Sequence, residues 1–415
     1  LTSTADLAPA SAVPAFDLLT SPLPAPFRAA ATFRLLDITK YFGRDTGGIR
    51  TYLLAKSAWL EGNSAAAHLL VVPGVHDDLA DGSSRTYRIR GPRMPGQRTY
   101  RWLLDGRRLR RILAHERPDL IEVGSSLAVP FVTWRASRGL EIPLVWFYHT
   151  HLPRIVNPRG ERGPLWRRVA ERVAWWHLRR IGRRCSATLA SSEAIAKELE
   201  AGGVPRVRRV SLGVDLELFT PSRRNGATRV RMQLPDGPIA VYAGRFTPEK
   251  QLETVLEAWP GVHRRSNATL ILVGHGPAEA RLRQHSNPAG IAWLPFEADR
   301  ARLADLFANA DCVIAPGPAE TFGLSALEAL ASGTPVLSVA RGGAAELVER
   351  SGAGRLYPIG DPVTCAEEAL ALLGEAATLR DRARRYAESR HAWPVVLGEL
   401  MLRYREVIAQ GERLG

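Results

Sequence analysis

The sequence predicts an α/β protein built from two Rossmann-like, doubly wound parallel-sheet domains that face each other across a cleft. Three observations lead there. The chain has 415 residues, more than one core organises. Short apolar strands alternate with helical segments in both halves. Glycine-rich or proline-rich turns carrying polar side chains follow several strands, at the carboxyl ends where ligands collect in such sheets. With 45% apolar residues both cores can be filled, and no run approaches the roughly 18 uncharged apolar residues of a membrane span.

Residues 1–30 are rich in Pro and Ala and lack a basic leader, so they read as a flexible tail and not as a secretory signal. Residues 31–212 make the first domain. Phe33–Ile38 is its first strand, and Gly47-Gly48-Ile49 opens a helix through Tyr52, Leu53 and Trp59. A glycine pair there lets backbone N–H groups approach a phosphate, although a plain tight turn uses the same residues. His68–Val72 is the next strand, followed by an Arg-rich segment read as helical, then Leu120–Val123 and Leu144–Tyr148. The last of these ends in His149-Thr150-His151, which puts His149 at a strand end, in the position of a cleft residue or of a structural hydrogen-bonder. Ala187–Ala190, a capped helix from Ser191-Ser192-Glu193, and the strand Val207–Ser211 complete this half.

The second domain, residues 213–390, repeats the plan after a turn-rich crossing at Gly213-Val214-Asp215. Ile239–Ala243 is a strand, with Gly244–Lys250 as its turn and a helix from Leu252 to Trp259. Ala268–Val273 closes at Gly274-His275-Gly276, which lacks the third glycine of a dinucleotide fingerprint and reads as a turn. Ile291–Leu294, a helix over Ala301–Ala310 and the strand Asp311–Ala315 follow. Pro316 to Pro318 break that strand, Leu324, Leu327 and Ala331 follow a helical period, and Gly333-Thr334-Pro335 stop the helix before the strand Val336–Val339. A helix from Ala344 and a strand over Ala353–Tyr357 come next. In residues 391–415, Val396, Leu397, Leu400, Met401, Tyr404 and Val407 keep helical spacing, so this helix is expected to cross back to the first domain for an apolar partner.

The charge and cysteines narrow the setting. A formal net charge of +14 is concentrated in Arg85–Arg117 and Arg154–Arg184, and such a surface attracts nucleic acid, anionic lipid or anionic substrate. Within Trp166–Trp176, Val169, Val173 and Trp176 share a face beside Arg167, Arg168 and Arg172. That pattern fits an anionic membrane surface and fits a buried helix with a basic solvated side equally well. Three widely separated cysteines point to a reducing compartment and to no metal site.

The chemistry lies mostly in the second half. Arg245 and Lys250 flank a turn fixed by Pro248 and suit a diphosphate. Glu320 precedes a helix whose first N–H groups, at Phe322, Gly323 and Leu324, suit an anion or a row of hydroxyls. Glu328 falls on the apolar face of that helix. Read alone, Glu320 is a cap and Glu328 the partner of a nearby Arg.

In order, Gly47-Gly48-Ile49, His149-Thr150-His151, Gly213-Val214-Asp215, Gly244-Arg245 with Lys250, and Glu320 with Glu328 eight residues on resemble the retaining glycosyltransferases of family 4, with a GT-B fold. The likeness runs from about Phe33 to Tyr404. It implies a nucleotide-sugar donor, GDP-mannose or a UDP-hexose, whose hexosyl unit passes to an acceptor hydroxyl with retention, no cofactor and no metal. By resemblance Arg245 and Lys250 neutralise the diphosphate, Glu320 holds sugar hydroxyls, Glu328 holds the ribose, and Phe322, Gly323 and Leu324 face sugar and phosphate oxygens. Gly47 and Gly48 close over the diphosphate, and His149 sits by the donor sugar and acceptor. The nucleobase is expected near Leu294-Pro295-Phe296. The acceptor is open, with a lipid-linked one as a hypothesis. The expected location is the cytoplasm, at the inner membrane face if the acceptor is lipid-linked. The rival readings are an epimerase or hydrolase on the same fold and, in another class, a basic nucleic-acid binder, though no specific nucleic-acid motif is present.

Overall fold

Parallel strands covered on both faces need near-continuous apolar runs, and segments such as LVWFY and IAVYA supply them. The structure, a computed structural model, describes residues 16–43, 47–62, 65–95, 97–157 and 164–412. In chain order the first domain holds β1 (Phe33–Ile38), α1 (Gly48–Glu61), β2 (Ala66–Gly74), β3 (Asp78–Asp81), β4 (Arg85–Arg90), β5 (Arg93–Met94), β6 (Gln97–Arg101), α2 (Gly106–Glu116), β7 (Leu120–Val123), α3 (Val129–Ala136), β8 (Leu144–Tyr148), α4 (Leu152–Val156), α5 (Leu165–Gly182), β9 (Ala187–Ala190), α6 (Glu193–Ala201) and β10 (Val207–Arg209). The second continues with α7 (Gly226–Arg231), β11 (Ile239–Ala243), α8 (Leu252–Ser266), β12 (Thr269–Val273), α9 (Glu279–His285), β13 (Ile291–Leu294), α10 (Arg300–Asn309), β14 (Cys312–Ala315), α11 (Leu324–Ala331), β15 (Val336–Val339), α12 (Gly343–Ser351) and β16 (Gly354–Tyr357). Two long helices, α13 (Pro362–His391) and α14 (Trp393–Glu412), end the chain.

The first sheet has eight strands in the order β10-β9-β8-β7-β1-β2-β4-β3, and the second has six in the order β13-β12-β11-β14-β15-β16. All pairs in these two sheets are parallel except β3 with β4. Strand order reverses beside β1 in the first sheet and between β11 and β14 in the second. These are the switch points at which doubly wound sheets open a crevice. The segments leaving them are Thr39–Tyr41 in one domain, and Gly244-Arg245 and Pro316-Gly317 in the other.

Three readings of the sequence need correction. Residues 1–15 lie outside the described residues, but 16–30 are no loose tail. Leu18 and Phe27 are buried against the first core, and their N–H groups donate to Asp77 and Glu116 at 3.0 Å each. The Arg-rich segment is helical only from Gly106. Arg85, Tyr87 and Ile89 alternate inward along β4, a period of two that makes a strand. Several of its cations are internal: Arg85 pairs with Asp81 and Glu116, and Arg108 with Asp77 and Asp105. Finally, α13 was not anticipated, although Cys365, Ala369, Leu372, Ala376, Leu379, Ala383 and Ala387 bury one helical stripe.

The last helix lies on the first domain. Leu397, Leu400 and Met401 share a core with Leu35, Tyr52 and Leu53. At its centre is a fully enclosed polar cluster. Lys56 Nζ donates to Asp37 at 2.9 Å, to Glu122 at 3.1 Å and to the Tyr404 hydroxyl at 3.3 Å. Tyr404 and Tyr52 both donate to Glu122. His68 bridges Asp37 at 2.5 Å and Ser57 at 2.9 Å. Burial pushes the Glu122 carboxyl up to about 7 against the pull of Lys56. Removing the single ammonium from this pocket leaves two carboxylates without their cation. Lys56→Met should therefore lower the unfolding free energy by about 3–5 kcal/mol, read as a lower denaturant midpoint. An unchanged midpoint would show that the carboxylates do not need it.

Candidate active site

Where strands end and helices begin, backbone donors are left over. Two such helix starts point into one cavity of about 320 Å³ between the domains. The α1 start at Gly47 has no side-chain cap and no acidic residue in its first turn, and the same is true of the α11 start at Gly323. The two touch: a Cβ on Gly48 would lie 3.3 Å from Leu324 Cδ2. Gly323 is in the left-handed region at φ +91°, and a Cβ there would sit 2.8 Å from that of Ala344. Only glycine fits, and the conformation turns the chain so that α11 starts at the cleft. Two positive helix ends, uncapped and adjacent, create a field for an anion.

The cavity is lined by Gly47, Gly48, His149, Arg245, Lys250, Phe296, Glu320, Phe322, Gly323 and Leu324. These predicted residues, drawn from both halves of the chain, therefore meet. Glu328 does not join them. It is buried on α11 with Arg300 Nη2 donating to it at 2.6 Å, and burial raises its carboxyl while Arg300 pulls it back. Lys250 Nζ donates to Glu320, so the two form an ion pair at the cavity wall. Arg245 stays more exposed, 4.0 Å from Glu249, with its carbonyl accepting from the Tyr242 hydroxyl at 2.9 Å. Phe296 is exposed and edge-on to His275, with ring centroids 5.6 Å apart.

Sequence reasoning missed the clasp between the domains. The hydroxyls of Ser191 and Ser192 both donate to the Thr321 carbonyl at 2.9 Å, and the Thr321 hydroxyl donates to the His149 carbonyl at 3.2 Å. Ser192 was legible as the cap of α6, which it is, but its second bond is to a partner 129 residues away. Tyr41, Tyr100, Thr150 and Ser325 also line the cavity. Tyr41 lies three residues beyond the end of β1, and Tyr100 carries no local signal, because only the placement of β6 brings it in. Asp215, from the crossing motif, serves its own turn by accepting from the N–H groups of Glu217 and Leu218.

His149 stacks on Phe147 with centroids 4.2 Å apart and lies 5.7 Å from the Tyr52 ring. Burial lowers its pKa from 6.5 to about 4, so the ring is neutral at neutral pH. Such a group contributes stability that is fully present above about pH 6.5 and is lost as pH falls through about 4. His149→Phe, which keeps the stack, should make the melting temperature less sensitive to acid across that window. Identical pH profiles for variant and wild type would contradict the assigned burial.

Comparison with known proteins identifies the family and the fold. Residues 46–218 match the family model described as Glycosyltransferase Family 4, and residues 237–375 match the one described as Glycosyl transferases group 1. A GDP-mannose-dependent alpha-mannosyltransferase of Mycobacterium tuberculosis is 34% identical over 304 residues, 72% of this chain and 76% of that protein. A GDP-mannose-dependent alpha-(1-6)-phosphatidylinositol dimannoside mannosyltransferase of the same organism is 31% identical, over 73% of this chain and 78% of that one. Among solved structures, the sucrose-phosphate synthase of Thermosynechococcus elongatus superposes with a TM-score of 0.73 at 21% identity, covering 91% of this chain and 100% of that one. Anabaena HepE in complex with UDP-glucose gives 0.69 at 20%, covering 90% and 99%. The chain is a family 4 glycosyltransferase with the GT-B fold, a hexosyltransferase that uses a nucleotide sugar.

Proposed function

We propose that the protein transfers a mannosyl unit from GDP-mannose to an acceptor hydroxyl, with retention of configuration and without a metal. The observation that carries the reading is the convergence of two uncapped helix starts with Arg245 and Lys250 on one cavity. These groups offer positive charge where a departing diphosphate needs it. The choice of donor rests on the relatives that are at least 31% identical and named for GDP-mannose.

In this reading the diphosphate lies between the starts of α1 and α11, with Arg245 and Lys250 on its outer side. Lys250 exchanges its bond to Glu320 for a phosphate oxygen, which frees the Glu320 carboxylate to accept from sugar hydroxyls. The guanine stacks near Phe296. Glu328 reaches the ribose only if it shares its carboxylate with Arg300. His149, uncharged, borders the donor sugar and the incoming acceptor. The acceptor hydroxyl attacks the face from which the diphosphate leaves, so no protein side chain becomes glycosylated, and the leaving phosphate takes up the proton.

We further place the protein at the cytoplasmic face of an anionic membrane. No helix among the described residues is long and apolar enough to cross a membrane. On α5, however, Leu165, Trp166, Val169, Val173 and Trp176 are all about half exposed or more, beside Arg167, Arg168 and Arg172. An apolar stripe with basic flanks suits an interfacial helix.

Thermal shift across a panel of nucleotide sugars should give the largest stabilisation with GDP-mannose; a larger one with any UDP-sugar would overturn the donor. Arg245→Ala and Glu320→Gln should each lower the transfer rate by roughly 100-fold or more with unchanged melting curves. Wild-type rates in both would sink the assignment. A chelator should leave the rate unchanged, and loss of activity restored by a divalent cation would refute metal independence. The wild-type chain should sediment with vesicles containing anionic lipid at low salt, and Trp166→Ser with Val173→Ser should not. Equal sedimentation of both would remove α5 from the contact.

A further inference from the structure

The turn that backs Glu320 in the second domain is itself held by the first. Arg341, Gly342 and Gly343 lead from β15 into α12. Gly343 N–H donates to the Glu320 carbonyl at 2.8 Å, and a Cβ on Gly342 would fall 2.8 Å from the same oxygen. Arg341 therefore stands on a turn packed tightly against the loop of Glu320. From there its Nη2 reaches the first domain and donates to Glu198 Oε1, on α6, at 3.0 Å. Among the described residues Glu198 is its one anionic partner.

The same carboxylate holds a wall of the cavity. Its Oε2 lies 2.5 Å from His151 Nε2, and Arg154 Nη2 lies 3.8 Å from its Oε1. Burial would raise the Glu198 carboxyl, but His151 and Arg154 outweigh burial and hold it below its usual value, so it is ionised at neutral pH. His151 is buried, lines the cavity and caps α4, with its Nδ1 accepting from Arg154 N–H at 3.4 Å. With Nδ1 accepting, Nε2 carries the hydrogen that Glu198 takes. His149 and Thr150, in the same turn, line the cavity too. Helix α6 is also gripped at its other end, where Ala194 N–H donates to Glu346 of α12 at 3.0 Å, beside the bond from Ser192 to Thr321. A helix tied to the second domain at both ends has little freedom, and Glu198 keeps its place. Yet Glu198 itself lies outside the cavity lining.

We propose that Glu198 is a positioning residue for the transfer: by holding His151 on one side and Arg341 on the other, it sets the distance between the His149–His151 wall of the first domain and the Glu320 wall of the second. The proposal rests on the transferase reading and adds to it a residue that acts only through others. The bond to Arg341 needs the two domains together, so closure and the seating of His151 are one event. When the domains part, Glu198 keeps His151 and Arg154 but loses the cross-domain guanidinium, and the two walls are no longer braced against each other.

Two measurements on the full chain test this. The first is the magnetic-resonance signal of the His151 imidazole nitrogens, identified by its loss in His151→Gln and recorded without nucleotide and with GDP. Arg341→Gln should shift it, although the two side chains meet only through Glu198, and Arg341→Lys should return it towards the wild-type position. In a Glu198→Gln chain, adding Arg341→Gln should shift it no further, whereas an effect of charge acting through space would persist there. The second is GDP release from GDP-mannose with water as the acceptor. Arg341→Gln and Glu198→Gln should each lower its maximal rate by roughly tenfold, with nearly unchanged KM for the donor and unchanged melting curves. The double variant should be no slower than the slower single one, because one link is lost only once. Losses that multiply in the double variant, a His151 signal that Arg341→Gln does not move, or wild-type rates in both single variants overturn the proposal. A wild type that releases no GDP, with the His151 signal responding as described, counts against the donor reading and supports the link.

Discussion

The clasp at Thr321 is the interaction on which the site depends. Its carbonyl accepts two hydroxyls from the first domain, and its own hydroxyl returns a bond to the His149 backbone. The neighbouring Glu320 carbonyl accepts from Gly343 N–H at 2.8 Å, which ties the same loop to α12. A short loop held from both sides has little freedom, so Glu320, Gly323 and the start of α11 keep their places relative to α1. The converging helix fields exist only because this loop is fixed. Without it, the free N–H groups of α11 would face water and would lose most of their value to screening.

A second constraint works from below. The Lys56 cluster lies under α1, whose first turn forms part of the cavity, and Tyr52 on the same helix lies between that cluster and His149. Such a cluster contributes little net stability, because desolvation offsets the Coulomb gain. It does fix geometry: each carboxylate has its donors at one register of α1, β1, β7 and α14 and at no other.

Much of the fold was legible because parallel strands are apolar throughout and their turns rich in glycine or proline. Ile239–Ala243, Leu144–Tyr148 and Val336–Val339 appear in the structure with the bounds the sequence gives them. The Arg-rich stretch misled because its partners Asp78 and Asp81 on β3, and Asp77 just before β3, precede it, and net charge within a window does not see across a sheet. The 30-residue α13 escaped notice because its buried stripe is largely alanine, which gives a weak apolar period. In the site, residues at strand ends or beside glycines were readable: Gly47, His149, Arg245 and Glu320. Tyr100 and Thr321 were not, since their roles come from contacts between distant segments. Glu328 marks the limit in the other direction: its buried carboxylate was recognised from helical spacing, and the structure gives it Arg300 as its partner.

The crossing of α14 has a mechanical consequence. The chain passes between the domains twice, and the two passages run side by side: Val214 N–H donates to the His391 carbonyl at 2.8 Å, Val214 pairs with Ala392, and Gly213 lies flat against the Trp393 ring. Each passage is braced by the other, so the second sheet is tied to the first at this crossing by backbone bonds and ring packing as well as by the clasp at Thr321.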